Sequence, residues 1–289
     1  MADFINIIQN NGLDKIARGA SNAVINAIGG AAIKTGVDFA YLLQQAKAES
    51  SFITDAKAST SSASGLFQFI NSTWLNMVDQ YGEKFGLDTN GKSQSEILDL
   101  RNDPQAASSM AAQLAADNQS YLQKNWGGDV GATELYFAHF LGPRNAASFL
   151  NARDENGAKS AADLFPAAAK ANKNVFFNKD GTSKTLNEVY AFFDKKFEEP
   201  TSNAQDITTE NAALIAQNAL ENMEISPLQL SDGKPDTRPN YNQLFQKTGM
   251  YNYASPLPNY QLIQQPVELM ILGQLDLPDV FSTRDSNKS

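Results

Sequence analysis

The chain has 289 residues, 42% of them hydrophobic and 10% aromatic, enough to bury a core as one domain with appendages or as two small domains. It has no cysteine and a single histidine. A disulfide framework, thiolate chemistry and a multi-histidine metal site are therefore excluded, and no Asp-x-Asp-x-Asp-Gly loop points to calcium, so neither a metal nor another cofactor is expected. The net charge of -9 speaks against a nucleic-acid-binding face, which needs a basic stripe. No run approaches the roughly 18 apolar residues of a transmembrane helix, and the N-terminus lacks the basic-then-apolar pattern of a secretory signal.

In chain order, Leu13, Ile16, Ala17, Ala20, Val24, Ala27 and Ile28 recur at three to four residues, the period of an amphipathic helix, with Gly29-Gly30 as its expected end. Residues 1–34 thus form an N-terminal helical segment, packed on the rest of the chain or serving as a docking or membrane-active element. Thr35 and Asp38 resemble a capping box. The helix they open runs through Phe39, Leu42, Leu43 and Ala46 and ends near Glu49. Ser59 to Ser64 reads as loop. Ile70 to Trp74 starts another helix, capped by Asn71 or Ser72, and Pro104 begins one from Gln105 to Tyr121. Ala132 to Phe140 is an apolar helix broken at Gly142-Pro143; residues 145–151, 161–171 and 186–197 complete the helical set. Period-2 alternation is scarce, so the fold class is mostly α.

After Pro200 the composition changes. Seven of the 11 prolines lie in residues 201–289, and ten acidic against five basic residues put about half of the net charge there. One helix, Thr209 to Met223, and one apolar patch, Val267 to Leu272, stand out in this acidic, Pro/Asn/Gln-rich tail. It is expected either to be irregular when alone or to dock on the domain or on another subunit.

The most informative stretch joins Glu49-Ser50 to Ser59 and to Gly65-Leu66-Phe67-Gln68. Ten residues separate Glu49 from Ser59, and nine more reach Gln68. A carboxyl at a helix C-terminus, among Phe52, Phe67 and Phe69, would lose water and meet the negative end of the helix dipole. Both disfavour its charged form, so it could stay protonated near neutral pH and donate to a leaving oxygen.

This pattern resembles the goose-type-lysozyme-like (SLT-domain) lytic transglycosylases, which cut the glycan strands of bacterial peptidoglycan. The resemblance spans residues 35–200. It is carried by Glu49-Ser50, Ser59 and Gly65 to Gln68, and in part by Ala138-His139-Phe140-Leu141-Gly142, where the family has an Ala-Tyr-Asn-x-Gly-like segment. It implies a lysozyme-like helical domain in which Glu49 is the single acid and base. Glu49 would protonate the oxygen between N-acetylmuramic acid and N-acetylglucosamine, then take the proton of the muramic 6-hydroxyl as that oxygen attacks its own anomeric carbon. A 1,6-anhydro end would form without water, and the two-carboxylate glycosidase scheme would not be needed.

The resemblance also suggests substrate-side roles. Ser59 would bond near the acid, Gln68 would bind sugar or the acid, and Gly65 would permit close backbone approach. His139, standing in the place of the family's Tyr, would line the back wall of the cleft as a hydrogen-bonded histidine. Tyr190 is either the late tyrosine that reaches the acid in some members or a helix-core residue. Asp55 either caps its loop or faces Glu49, which would allow a water-using hydrolase. Trp74 and Trp126 read as core residues, with Trp126 able to stack on sugar.

The expected partners are peptidoglycan strands and, through the tail, proteins of a larger assembly. A wall-cutting enzyme without a secretory signal fits a phage virion component acting during genome delivery. A bacterial flagellar or envelope enzyme acting in the periplasm is the alternative, as is a non-catalytic tail or rod protein with a lysozyme-like domain. The acidity makes a non-specific grip on the anionic wall unexpected.

Overall fold

The computed structural model describes residues 4–10 and 12–197, with side chains to Lys195. The expected tail helix Thr209 to Met223 and the apolar patch at Val267 to Leu272 lie outside the described residues. Within them the protein is mostly α, without a strand; only isolated bridges such as Lys57–Ser64 and Ser64–Phe69 occur.

The helices are α1 (Phe4–Asn10), α2 (Asp14–Ala17), α3 (Asn22–Thr35), α4 (Phe39–Ser50), α5 (Asn71–Tyr81), α6 (Gln94–Asp99), α7 (Pro104–Asn125), α8 (Ala132–Leu141), α9 (Pro143–Asn156), α10 (Ala161–Leu164), α11 (Pro166–Ala171), α12 (Lys173–Phe176) and α13 (Leu186–Phe197). The spine is α7. Pro104 occupies its first turn, where no backbone N–H is needed, and Asp103 caps it by accepting from Ala106 N at 2.7 Å. Its buried face is built from Ala106, Ala107, Met110, Ala111, Ala112 and Ala115. Such small side chains let a neighbouring helix lie close, and α3 packs along α7 with its own buried Ala27, Ile28, Ala31 and Ala32.

The residues of α1 to α3 therefore belong to the same core as the rest of the described chain, which fits the packed reading of the N-terminal segment. Gly29-Gly30 does not end α3, which runs on to Thr35 and closes on Gly36 in the left-handed conformation. A Cβ at Gly29 would fall 2.3 Å from the Phe4 ring, so this glycine admits an aromatic side chain from α1 instead of breaking the helix.

Other helix boundaries shift for local reasons. Asp38, not Thr35, caps α4, accepting from Tyr41 N at 2.7 Å, while Thr35 Oγ1 donates back to Ala31 O. Asn71 is the first residue of α5 and not its cap; its side-chain oxygen is taken by Arg101. The expected helix over 161–171 is broken at Phe165, ahead of Pro166, into α10 and α11. The α6 helix, opened by a Ser93/Glu96 capping box, was not foreseen.

Two features hold the site region. On one side, the loop between α4 and α5 is threaded by buried Arg101. Its Nη1 lies 2.8 Å from Ser62 O, 2.9 Å from Phe69 O and 2.8 Å from Asn71 Oδ1, and its Nε donates to Leu98 O at 2.8 Å. On the other side α8 is buried nearly all round, as a helix apolar on every face must be. Phe137 and Phe140 close on Phe193, and Phe149 packs against Phe137; the Phe137–Phe193 ring centroids are 4.9 Å apart, edge to face.

Candidate active site

Glu49 sits in the last turn of α4, as expected, and is only 4% exposed. The helix ends there because Ser51 and Phe52 turn to positive φ, 52° and 67°. In this Schellman-like arrangement Ser51 N donates to Lys47 O at 3.0 Å, and Phe52 N reaches toward Ala46 O at 3.5 Å. Positive φ is rare for a bulky aromatic residue. Among the described residues the only other non-glycine case is Gln68, at 49°. All three thus fall within the Glu49–Gln68 stretch. Unfavourable backbone of this kind persists only where its surroundings over-determine it, and it concentrates at functional sites.

Ser50 ties the end of α4 to the loop, its Oγ donating to Leu66 O at 2.7 Å. Gly65 has φ 83°, and a Cβ there would lie 2.0 Å from Arg101 O. The close backbone approach expected of Gly65 is thus made to Arg101. Gln68 spends its amide on the loop itself, donating to Ala56 O at 3.1 Å and to Gly65 O at 2.8 Å. No hydrogen bond joins Gln68 to Glu49. Ser59 lies exposed and forms no hydrogen bond among the described residues; the hydroxyl beside the acid in sequence, Ser50, makes the structural link instead. Asp55 is also exposed and forms no hydrogen bond among the described residues, so it does not cap its loop.

The carboxylate's polar neighbours come from α8. His139 Nε2 lies 3.2 Å from Glu49 Oε1, and Tyr136 O–H points at the same oxygen from 3.4 Å. The imidazole is the part of this wall that meets solvent, its side chain 25% exposed. Its other nitrogen, Nδ1, faces Gln45 Nε2 at 3.4 Å. Burial, and next the negative charge of Glu49, push the Tyr41 and Tyr136 hydroxyls well above the ordinary phenol range. Both therefore remain neutral O–H groups beside the acid at any working pH.

The structure thus brings His139 to Glu49 and leaves Tyr190 elsewhere. The Tyr190 hydroxyl donates to Glu134, whose other oxygen accepts from Gly131 N at 2.9 Å and so caps α8. The Tyr190 ring lies under the Arg153 guanidinium at 3.6 Å. Burial first, then the bond to Glu134, raises its ionisation above the ordinary phenol range. Trp74 is fully buried and donates to Ile97 O at 2.7 Å, a core residue as expected. Trp126 donates to Asp154 at 2.7 Å, and Gly128 lies against its ring so closely that a Cβ would enter it.

Gln45, Tyr41, Tyr136 and Arg101 are the site-building residues that sequence reasoning missed. Gln45 carried a weak signal, since it stands one helical turn before Glu49 on the same face. No group of three or more acidic or histidine side chains among the described residues could hold a metal ion, and no helix among them is long and apolar enough to cross a membrane. No protein-family model matches the chain.

Proposed function

We propose that the chain is a peptidoglycan lytic transglycosylase with Glu49 as its one acid and base. The observation that supports this most is the treatment of Glu49. A carboxyl withdrawn from water at a helix end has two neighbours aimed at one of its oxygens, Oε1, and sits beside a loop held in unfavourable backbone conformations. Oε1 serves as the held oxygen and Oε2 as the working one.

In the first step Oε2–H donates its proton to the glycosidic oxygen, and the bond between that oxygen and the muramic C1 breaks. In the second, the carboxylate takes the proton of the muramic 6-hydroxyl while O6 bonds to C1. The products are a free 4-hydroxyl on N-acetylglucosamine and a 1,6-anhydro muramic end; the proton returns to Glu49 and no water is consumed. A water-using hydrolase would instead need a second carboxylate standing across the cleft from Glu49, roughly 5–9.5 Å away. We assign the activity to local opening of the wall by a phage virion component, with the tail of residues 201–289 serving assembly or docking; a flagellar or envelope enzyme would use the same chemistry.

The test is mass spectrometry of purified peptidoglycan digested by the wild type and by Glu49→Gln. Anhydromuropeptides from the wild type, reduced at least about 100-fold in the variant, are expected. Reducing muropeptides would replace the transglycosylase with a hydrolase, and binding without any product would leave a glycan-binding structural protein.

A further inference from the structure

Arg101 is only 8% exposed, and its positive charge has no counter-ion within contact. Neither ion pair among the described residues involves it, and Asp99, itself exposed, acts on it only through space. Its Nε and Nη1 donate to four neutral oxygens, those of Leu98 O, Ser62 O, Phe69 O and Asn71 Oδ1. These solvate the guanidinium without cancelling its charge, whereas a buried cation is ordinarily paired with an anion. The remaining nitrogen, Nη2, forms no hydrogen bond among the described residues. It is not sealed from solvent either, since the buried side-chain polar atoms left unpaired there are Gln45 Oε1 and Ser108 Oγ alone. Nη2 thus meets solvent with two N–H groups to give.

The neighbours of Arg101 at this opening add donors. A guanidinium can only donate, so Asn71 must present its oxygen to Nη1 and turn its Nδ2 away. Nδ2 also has no partner among the described residues and is not shut off from solvent. Ser62 Oγ accepts from Asn71 N at 3.2 Å, which leaves its own proton to donate. Asn71 is the first residue of α5, a helix of 11 residues without a side-chain cap. The positive end of that helix dipole therefore falls at the same place. Hydrogen bonds join Ser62 to Asn71 and both to Arg101, so the three donors are held as one group.

We propose that Ser62, Asn71 and Arg101 form a carboxylate-binding site. One uncompensated positive charge matches a monoanion, and N–H groups from two side chains match the two oxygens of a carboxylate. The source of the carboxylate rests on the transglycosylase reading: it is the peptide stem that a glycan strand carries. The site lies on the loop that follows Glu49, and Ser50 Oγ donating to Leu66 O ties that loop to the end of α4. A stem held there is fixed relative to the acid. Its role is to bind the strand, and it takes no part in the bond changes.

The probe is acetate, titrated into the 15N-labelled full-length protein at constant ionic strength with chloride as the control. The wild type is expected to show a saturable shift of the Arg101 Nε–H signal with acetate and none with chloride. Asn71→Asp keeps the oxygen that Arg101 uses and puts a carboxylate oxygen where the amide donor stood. Acetate binding should weaken at least about tenfold. Equal binding in the two proteins, or none in the wild type, would overturn the site. Ser62→Ala covers a failure of Asn71→Asp to fold. It keeps the carbonyl that Arg101 uses, loses the hydroxyl, and should weaken acetate binding about threefold or more. Unchanged binding in that variant would then count against the site.

Turnover tests the source. The wild-type KM should be at least about fivefold lower for strands that bear stems than for strands stripped of them by an amidase, and Asn71→Asp should lose the difference. Acetate binding without that difference would uphold the site and remove the stem as its ligand. If the wild type cleaves neither substrate, the transglycosylase reading falls, and the acetate titration still decides the site.

Discussion

The two sides of Glu49 are held by different physics. The loop that follows α4 is held through its backbone. Arg101 gathers the carbonyls of Ser62, Phe69 and Leu98, Gln68 those of Ala56 and Gly65, and Ser50 that of Leu66. Such bonds need particular donors at particular places, and Gly65 must lack a Cβ. The α8 wall is held by aromatic volume, with Phe137 packed against Phe149 and Phe193, and Phe140 against Phe193. Volume can be supplied by several side chains, whereas a donor aimed at a carbonyl cannot. The loop should therefore tolerate conservative change poorly and the wall should tolerate it well.

Gly65→Ala should have the largest effect. The new methyl meets Arg101 O, and alanine resists φ 83°. A loss of about 3–5 kcal/mol is expected from urea unfolding. Wild-type stability in this variant would show that the loop is not pinned to Arg101 and would erase the contrast. Phe193→Leu should cost much less, about 1.5 kcal/mol or below, with muropeptide release close to wild type. A loss as large as that of Gly65→Ala would mean that the wall, too, depends on one specific shape.

The smallest effect concerns α4, which both sides share, and it shows as a pH dependence. Burial raises the Asp38 carboxyl above the ordinary aspartate range, outweighing the pull of the Tyr41 and Ala40 N–H groups. In the window between the unfolded and the raised folded value, the folded chain holds the extra proton. The contribution of Asp38 to stability is thus complete below the unfolded value and is lost as pH rises through the folded one. Asp38→Asn keeps the cap acceptor and removes the titration. The thermal midpoint of the wild type relative to the variant should fall as pH is raised from about 3.5 to 6. A difference that grew with pH would contradict the sign.

The same contrast explains what could be read from residue order. The pattern Glu49, Gly65, Gln68 was legible because a backbone-held loop demands specific residues at fixed spacing. Pro104 marked a helix start, and the end of α4 near Glu49 followed from its period; Pro143 read only as a break, although it opens α9. What escaped depends on partners far along the chain. Gln45 meets His139 across 94 residues and Tyr136 meets Glu49 across 87, and an ordinary helical Gln or Tyr announces neither. Gly29 read as a stop for a similar reason, since only the Phe4 ring from another helix shows why the glycine is there. Tyr190 has the polarity to reach an acid, and it does reach one, Glu134.

The position of Phe193 in the last described helix bears on the order of events during synthesis. Its ring touches Phe137 and Phe140, and α13 is fastened to α8 by Thr133–Asp194 at 2.9 Å and by Tyr190–Glu134. When a ribosome has released Glu49 and its loop, and later all of α8, the ring that completes the packing behind His139 and Tyr136 is still to be translated. The nascent chain therefore carries its acid through most of translation without a finished wall beside it, and the site closes only once residue 193 has emerged.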